Sequence, residues 1–257
     1  MTLDQVTEII NTAGQIATAL YGRERGQLKA DGTWATRADT RIEDFIRYEC
    51  HSLAEAYIFG EEKKWTGNKS APYVVIIDPI EGTGPFRDRI PIWGVSVAIF
   101  HEGQPWLGIF SMPAANHLFL GEFGKGSQWN GKAITVPPSE IPIPPTSYLG
   151  VSSDAHRWNL GQYPGKIRAF GVSGFHVISV ASGALQAAML TRFHFYDIAA
   201  AAIILWSAGG NLYYLSGKPV SADDIVKLQK PADAVLACHP NYFEETRKYI
   251  QRESDSR

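Results

Sequence analysis

The run Tyr73-Val74-Val75-Ile76-Ile77-Asp78-Pro79-Ile80-Glu81-Gly82-Thr83 constrains this chain more than any other stretch. It opens as an uninterrupted apolar segment rich in β-branched residues, which predicts a buried strand, and closes on two carboxylates, a proline, a glycine and a hydroxyl. Pro79 disfavours the helical region for Asp78, so the aspartate stays extended at the strand tip. Glu81 puts a second carboxylate into the same small volume, and Ile80 can offer only its backbone carbonyl. Two such anions repel unless something positive separates them. Hard oxygen ligands of this kind suit Mg²⁺, which leaves positions open for water and a phosphate. Gly82-Thr83-Gly84-Pro85 predicts a helix start with Thr83 as N-cap and Pro85 in the first turn, where free amides attract phosphate. The same residues also describe a plain acidic strand end with a capping threonine, which needs no metal.

Around that stretch the chain alternates predicted strands and helices. Leu3, Val6, Ile9, Ile10, Ala13, Ile16, Ala17 and Leu20 recur at helical spacing, with Thr2 and Gln5 as a capping box. The polar loop Asp31-Gly32-Thr33 leads to Asp39, expected to cap a second helix that turns Ile42, Phe45 and Ile46 inward. Ala56-Tyr57-Ile58-Phe59 reads as a short strand that delivers Glu61 to its tip as Ile77 does Asp78, while Glu61-Glu62-Lys63-Lys64 also reads as a solvated charged loop. Strands are expected at 94–100 and 106–110 around a turn at Gly103-Gln104. A β-ribbon over 117–134 turns at Asn130-Gly131, a two-residue hairpin dipeptide. Prolines 137, 138, 144 and 145 mark a boundary near residue 140, dividing the chain into 1–140 and 141–257. Beyond it the pattern predicts strands at 147–151 and 166–170 and a helix at 176–181. A buried alanine-rich helix is expected over 197–206 with Asp197 as N-cap, stopped by Gly209-Gly210. Strands at 211–215 and 234–238 and a closing helix over 241–251 follow.

Strands interleaved with helices in both halves argue for an α/β, α+β layered molecule with a ligand cleft at the boundary. At 257 residues it can bury a large core without staples. A formal net charge of −2 gives no footprint for nucleic acid or an anionic membrane, so small-molecule partners are expected. Cys50 and Cys238 show no metal spacing, which suits a reducing compartment and structural thiols. Neither a leader pattern nor a bilayer-length apolar run is evident, so a cytoplasmic location is expected, and the end after Arg252 reads as a frayed tail.

Asp78-Pro79-Ile80-Glu81-Gly82-Thr83 resembles the DP-(I/L)-DGT signature of the inositol monophosphatase family, Mg²⁺-dependent and lithium-sensitive phosphomonoesterases. Gly60-Glu61-Glu62 looks like its GEE element, and Lys29 to Asp39 is similar to its K-x-D-G-x-x-x-T-x-x-D segment. Gly124 to Ile134 resembles its GxGAxxNGxxI hairpin. Tyr196-Asp197-Ile198-Ala199-Ala200 with Ala208-Gly209-Gly210 resembles its WD-x-A(A/G)…AGG element, Tyr replacing Trp. Ordered motifs of this number are far more specific than one.

The resemblance implies an αβαβα sandwich, commonly a homodimer, and two or three Mg²⁺ per active site, with Mn²⁺ able to substitute. It assigns Glu61, Asp78 and the Ile80 carbonyl to one ion and Asp78, Glu81 and Asp197 to another, and adds Asp39 for a third, beyond its capping role. Thr83 and Glu61 would orient the attacking water, and the Gly82 and Thr83 amides would neutralise phosphoryl charge. One departure stands out: Glu81 replaces the usual aspartate and reaches roughly 1.5 Å further. Metal–ligand distances tolerate only about 0.2 Å, so the second metal site should be weakened or reshaped. Inositol-preferring relatives also carry a glutamate where this chain reads Ala187 to Arg192. Ser173, Arg192 and His194 are substrate-side candidates, although the last two read more simply as a surface cation and a packed, hydrogen-bonded histidine. The expected substrate is a small phosphorylated polyol or sugar, with histidinol phosphate and adenosine bisphosphates open. A catalytically impaired relative that only binds a phosphorylated ligand or partner is the alternative.

Overall fold

The computed structural model describes residues 1–23, 26–29, 34–138, 140–228, 230–231 and 233–252; the expected Asp31-Gly32-Thr33 loop and the tail beyond Arg252 lie outside them. In chain order the elements are α1 (Leu3–Leu20), β1 (Gln27–Leu28), β2 (Trp34–Ala35), α2 (Arg37–Leu53), β3 (Ala56–Gly60), β4 (Lys64–Gly67), β5 (Tyr73–Glu81) and α3 (Thr83–Arg87). Next come β6 (Gly94–His101), β7 (Gln104–Met112), β8 (His117–Glu122), β9 (Gly126–Trp129), β10 (Lys132–Ile134), β11 (Tyr148–Val151), β12 (Trp158–Asn159) and β13 (Lys166–Arg168). The chain ends with α4 (Ser173–Ala181), β14 (Ala187–Leu190), α5 (Phe195–Ser207), β15 (Asn211–Tyr214), α6 (Ala222–Val226), β16 (Val235–Cys238), α7 (Phe243–Arg247) and β17 (Gln251–Arg252).

Two sheets carry the architecture: an eight-stranded one in the order β10-β9-β8-β7-β6-β5-β3-β4 and a five-stranded one in the order β13-β11-β14-β16-β15. Alternate side chains of each strand serve different cores, as the two-residue period requires. Val75, Ile77, Val95, Val97, Leu107 and Ile109 pack with the apolar faces of α1 and α2. Ile76, Ala98, Phe100 and Phe110, on the other face, join α4, α5 and the inward side of the second sheet through Ala188 and Leu190. Ala187 and Met189 face outward to a third cluster with Tyr242 and Phe243. The layers run helix, sheet, helix, sheet, helix. No helix among the described residues is long and apolar enough to cross a membrane.

Local details depart from expectation at several ends. The turn before β7 centres on Glu102-Gly103, both at positive φ, one residue earlier than predicted. Asn130-Gly131 does form the expected two-residue turn, with φ of 49° and 76°. β13 stops at Arg168, and α4 starts three residues before His176. The closing helix is broken: a 3-10 turn at Pro240–Tyr242 precedes the short α7, and two further i→i+3 turns bring Gln251–Arg252 back to pair with Trp158–Asn159. Burial of Tyr242 and Phe243 fixes that path, because a continuous helix would carry the last residues away from β12.

Candidate metal centre

Spacing within the central motif depends on a bulge. β5 pairs with β6 up to Asp78↔Ser96 and resumes at Glu81↔Gly94, so Pro79 and Ile80 together stand against the single Val95, and Pro79 has no N–H to lose. Strict alternation would set Asp78 and Ile80 on one face. The slip instead sends Ile80 into the core beneath α1 and α2 and turns Glu81 toward α4. Acids three positions apart thus share a face. Glu61 joins them because β3 runs parallel to β5 with Gly60 opposite Ile77, and the Glu61 amide donates to the Ile77 carbonyl at 3.3 Å.

Three carboxylates are fixed by backbone amides. Asp39 was expected at the N-cap of α2, but Thr36 is the cap and Asp39 sits at the third helical position, closing a capping box. Its Oδ2 accepts from the Thr36 amide at 2.7 Å and the Thr36 hydroxyl at 2.6 Å. Asp197 repeats the pattern: His194 is the cap of α5, and the Asp197 Oδ2 accepts from the His194 amide at 2.8 Å. In both helices the acid reaches back from inside the first turn with one oxygen, and the second oxygen of Asp39 meets the Thr83 hydroxyl. Glu81 differs, since its Oε1 accepts from the Gly174 amide at 2.8 Å at the start of α4. Gly174 allows this approach; a Cβ there would lie 2.5 Å from Phe110 and 3.0 Å from the Asp197 carbonyl oxygen.

Thr83 is not the N-cap of α3. Gly82 takes that position at φ 93°, a left-handed conformation that glycine adopts without strain, and Thr83 becomes the first helical residue. Its hydroxyl lies 3.2 Å from Asp39 Oδ1 and 3.1 Å from the Ile80 carbonyl oxygen. Having one hydrogen, it donates to one of them at a time.

Electrostatics single out the cluster. Burial, then the neighbouring Glu61, Glu81, Asp197 and Asp39, hold the Asp78 carboxyl well above the carboxylate range. Burial and Asp197 do the same to Glu81, against the helping Gly174 and Ser173 amides. Glu61 and Asp197 are each pushed up to about 7 and Asp39 to about 6, burial being the largest cause in each case. Lys29 partly offsets this charge: its Nζ lies 2.7 Å from Glu61 Oε1 and 2.5 Å from Glu62 Oε1. Burial lowers the affinity of that ammonium for its proton, but the two glutamates outweigh it and raise the pKa.

Lys29 pairs with only Glu61 and Glu62, so the remaining acids call for more positive charge, and Asp78 Oδ1 is buried with no hydrogen-bond partner among the described residues. Oxygen-only, anionic donors fit a hard divalent cation. Among the described residues, Asp39, Glu61 and Glu62 form a group in which each brings an oxygen within 4.8 Å of the others. Glu62 and Lys29 are the members that the sequence reading missed, although both stand inside the quoted motifs.

The substrate-side candidates are spread out. Ser173 and Arg192 line a cavity of about 290 Å³ with Ser152, Ser153, Asp154 and His176. Arg192 adopts φ 50° and pairs with Asp154 at 3.5 Å, its side chain mostly in solvent. His194 stacks flat on Tyr196, ring centroids 4.9 Å apart.

Comparison with known proteins agrees with this picture. The model of the inositol monophosphatase family matches residues 2–253. A histidinol-phosphatase of Chlorobaculum parvum is 30% identical over 84% of this chain and 86% of its own length. A fructose-1,6-bisphosphatase/inositol-1-monophosphatase of Aquifex aeolicus is 29% identical over 93% and 92%. Among solved structures, a Thermotoga maritima IMPase superposes with a TM-score of 0.83 at 24% identity, covering 96% of this chain and 95% of that one. With the acidic strand tips, the capped helices and the layer order all in place, the chain belongs to the inositol monophosphatase family.

Proposed function

We propose that this protein is a metal-dependent phosphomonoesterase acting on a small phosphorylated polyol or sugar. The observation that carries the reading is the gathering of Glu61, Glu81, Asp197 and Asp39 around Asp78, with Thr83 against Asp39 and with Asp78 Oδ1 buried and without a hydrogen-bond partner among the described residues. Relatives named for histidinol phosphate, inositol monophosphate and fructose 1,6-bisphosphate all act on phosphomonoesters, so the bond cleaved is common and the alcohol it releases is what varies.

Glu61, Asp78 and the Ile80 carbonyl would hold one Mg²⁺ or Mn²⁺, Asp78, Glu81 and Asp197 a second, and Asp39 would serve a third. Ions held there acidify a water and neutralise charge on the phosphoryl and departing oxygens. The chain's own groups do the rest. Thr83 gives its hydroxyl hydrogen to Asp39 or the Ile80 carbonyl, so its lone pairs can accept from the attacking water and aim that water at phosphorus. Glu61 orients the same water. The Gly82 and Thr83 amides donate to phosphoryl oxygens, and no phosphoenzyme is needed. Lithium inhibition, a cytoplasmic homodimer and a division near residue 140 belong to the same proposal; light scattering on the purified protein checks the dimer.

The test is phosphate release from a panel of inositol, sugar, histidinol and adenosine phosphates with Mg²⁺ or Mn²⁺, with and without Li⁺. Metal-dependent, lithium-inhibited turnover is expected, and Asp78→Asn should lower kcat at least about 1000-fold. An Asp78→Asn protein as active as wild type would end this mechanism. The commitment of Glu81 to the Gly174 amide favours a second reading, an impaired relative that binds a phosphorylated ligand without turnover. Ligand binding with no phosphate release anywhere on the panel would select it.

A further inference from the structure

Glu43 and Arg47 form an ion pair inside the protein, one turn apart on α2, that none of the steps above uses. Glu43 is fully buried and Arg47 nearly so. Such a pair costs several kcal/mol to desolvate per ion, so its retention asks for a reason beyond stability. Its partners supply one. The Glu43 Oε2 accepts from the Glu62 amide at 2.7 Å, and its Oε1 accepts from the Lys63 amide at 2.9 Å and from Arg47 Nε at 2.9 Å. Arg47 spends its remaining donors on the two strands that flank that turn. Nη1 reaches the Ile58 carbonyl at 3.1 Å and the Thr66 hydroxyl at 2.7 Å, and Nη2 reaches the Lys64 carbonyl at 2.6 Å.

The β3–β4 hairpin whose turn carries Glu61 and Glu62 is therefore gripped at five points by two side chains of a helix. Gly60 shows how close the grip is. A Cβ at that position would lie 2.2 Å from the Glu43 carboxyl carbon and 2.4 Å from Oε1, so any other residue would push the carboxylate off the turn. The φ of Gly60 is not positive, which leaves this approach, and no conformational demand, as the reason for glycine there.

We propose that Glu43 and Arg47 are positioning residues that set where the Glu61 and Glu62 carboxylates stand relative to Asp39 and Asp78, and so fix the affinity of the metal centre. The inference rests on Glu61 and Glu62 belonging to that centre. Glu43 contacts the Glu62 and Lys63 amides and Arg47 and is no ligand of the proposed ions. It acts through two amides of the turn, and a neutral isostere of equal volume cannot replace it. Glu43→Gln keeps one acceptor oxygen, puts an NH₂ group against an N–H donor, and removes the charge facing Arg47.

The experiment is calorimetric titration of the purified full chain with Mn²⁺ alone, at a temperature well below its melting point, beside thermal melts and kcat and KM for the best substrate. Glu43→Gln is expected to weaken Mn²⁺ binding about tenfold or more, to lower kcat at fixed metal, and to recover much of that kcat at high Mn²⁺. KM for substrate should move less. Arg47→Lys keeps the compensating charge but loses the fork, and should weaken Mn²⁺ binding about threefold; it decides the matter if Glu43→Gln does not fold. Wild-type Mn²⁺ affinity in a folded Glu43→Gln protein, or in Arg47→Lys where that one is unfolded, overturns the proposal and leaves the pair as scaffolding. Glu61→Gln is the control for the underlying reading. If it also leaves Mn²⁺ binding unchanged, the metal centre is misassigned; if it weakens binding while Glu43→Gln does not, only the positioning role fails.

Discussion

Shortening Glu81 by one methylene sets two effects of opposite sign against each other. Glu81→Asp withdraws the carboxylate from the Gly174 amide, a buried charge-assisted bond whose loss should destabilise the protein by roughly 1–3 kcal/mol. The shorter arm also brings the carboxylate back toward Asp78, so the metal concentration for half-maximal activity should fall several-fold. Urea melts and a metal titration read the two separately, and superimposable titration curves would remove the second effect. At residue scale much of the candidate site was legible, because Glu61, Asp78, Thr83 and Asp197 stand in motifs whose order is itself informative. What could not be read was which atoms meet. Both aspartates expected as N-caps lie at the third helical position, since Thr36 and His194 take the caps three residues earlier. One of the two partners of Thr83 is Asp39, 44 residues away, and no periodicity encodes a contact across that distance. Glu43 was invisible for the same reason: in sequence it is one more acid on an amphipathic helix.

Elements hold these groups in place through close backbone contacts, and α5 shows how. Across its length it lies on the first sheet where two strands carry glycine: a Cβ at Gly108 would be 2.4 Å from the Ala200 carbonyl oxygen, and one at Gly121 would be 2.6 Å from Ile204 Cα. Gly108→Ala and Gly121→Ala should each destabilise by about 1–3 kcal/mol through overpacking. Gly108→Ala should also lower kcat more, because Ala200 lies one turn from Asp197 and Ile204 lies two; equal losses of kcat would contradict that. On α4 the buried His176 makes a pH-dependent contribution. Its Nε2 accepts from the Phe170 amide at 3.1 Å, its Nδ1 has no partner among the described residues, and burial lowers its pKa to about 4. An unfolded histidine titrates near 6.5, so between about 6.5 and 4 the unfolded chain binds the proton and the native one does not. The stabilisation, about 3 kcal/mol in full, is present above that window and lost as pH falls through it, roughly 2 kcal/mol of it by pH 5. Urea midpoints at pH 7.5 and pH 5 for wild type and His176→Gln check this: the variant should lack most of the acid-side loss. The sequence pattern found this helix but started it at His176, because Ser173 and Gly174 are poor helix formers recruited by their contacts with Glu81.

For the molecule as a whole, the proline-rich stretch near residue 140 suggests two parts, yet the largest core spans it. Ile76, Phe100 and Phe110 from the first sheet and Ala188, Leu190 and Val235 from the second all pack on the shared α4–α5 layer. Removing either sheet would expose one face of an almost wholly apolar α5, so the parts should unfold together. The two cysteines report on this from opposite ends. Cys50 lies in the α1–α2 cluster and Cys238 in the outer cluster of the second sheet, both fully buried, and burial pushes each thiol up to about 12. Because the thiolate is the reactive form, neither should react with an aromatic disulfide reagent at neutral pH until the chain opens around it. Cys50→Ala leaves Cys238 as the only thiol and Cys238→Ala leaves Cys50, so each protein reports one region. Labelling rates measured across urea and referred to each variant's own fluorescence midpoint should give coincident transitions. If Cys50 became reactive well before its variant's global midpoint, the first sheet and its helices would be opening alone, and the metal centre would then be assembled across a boundary that can part.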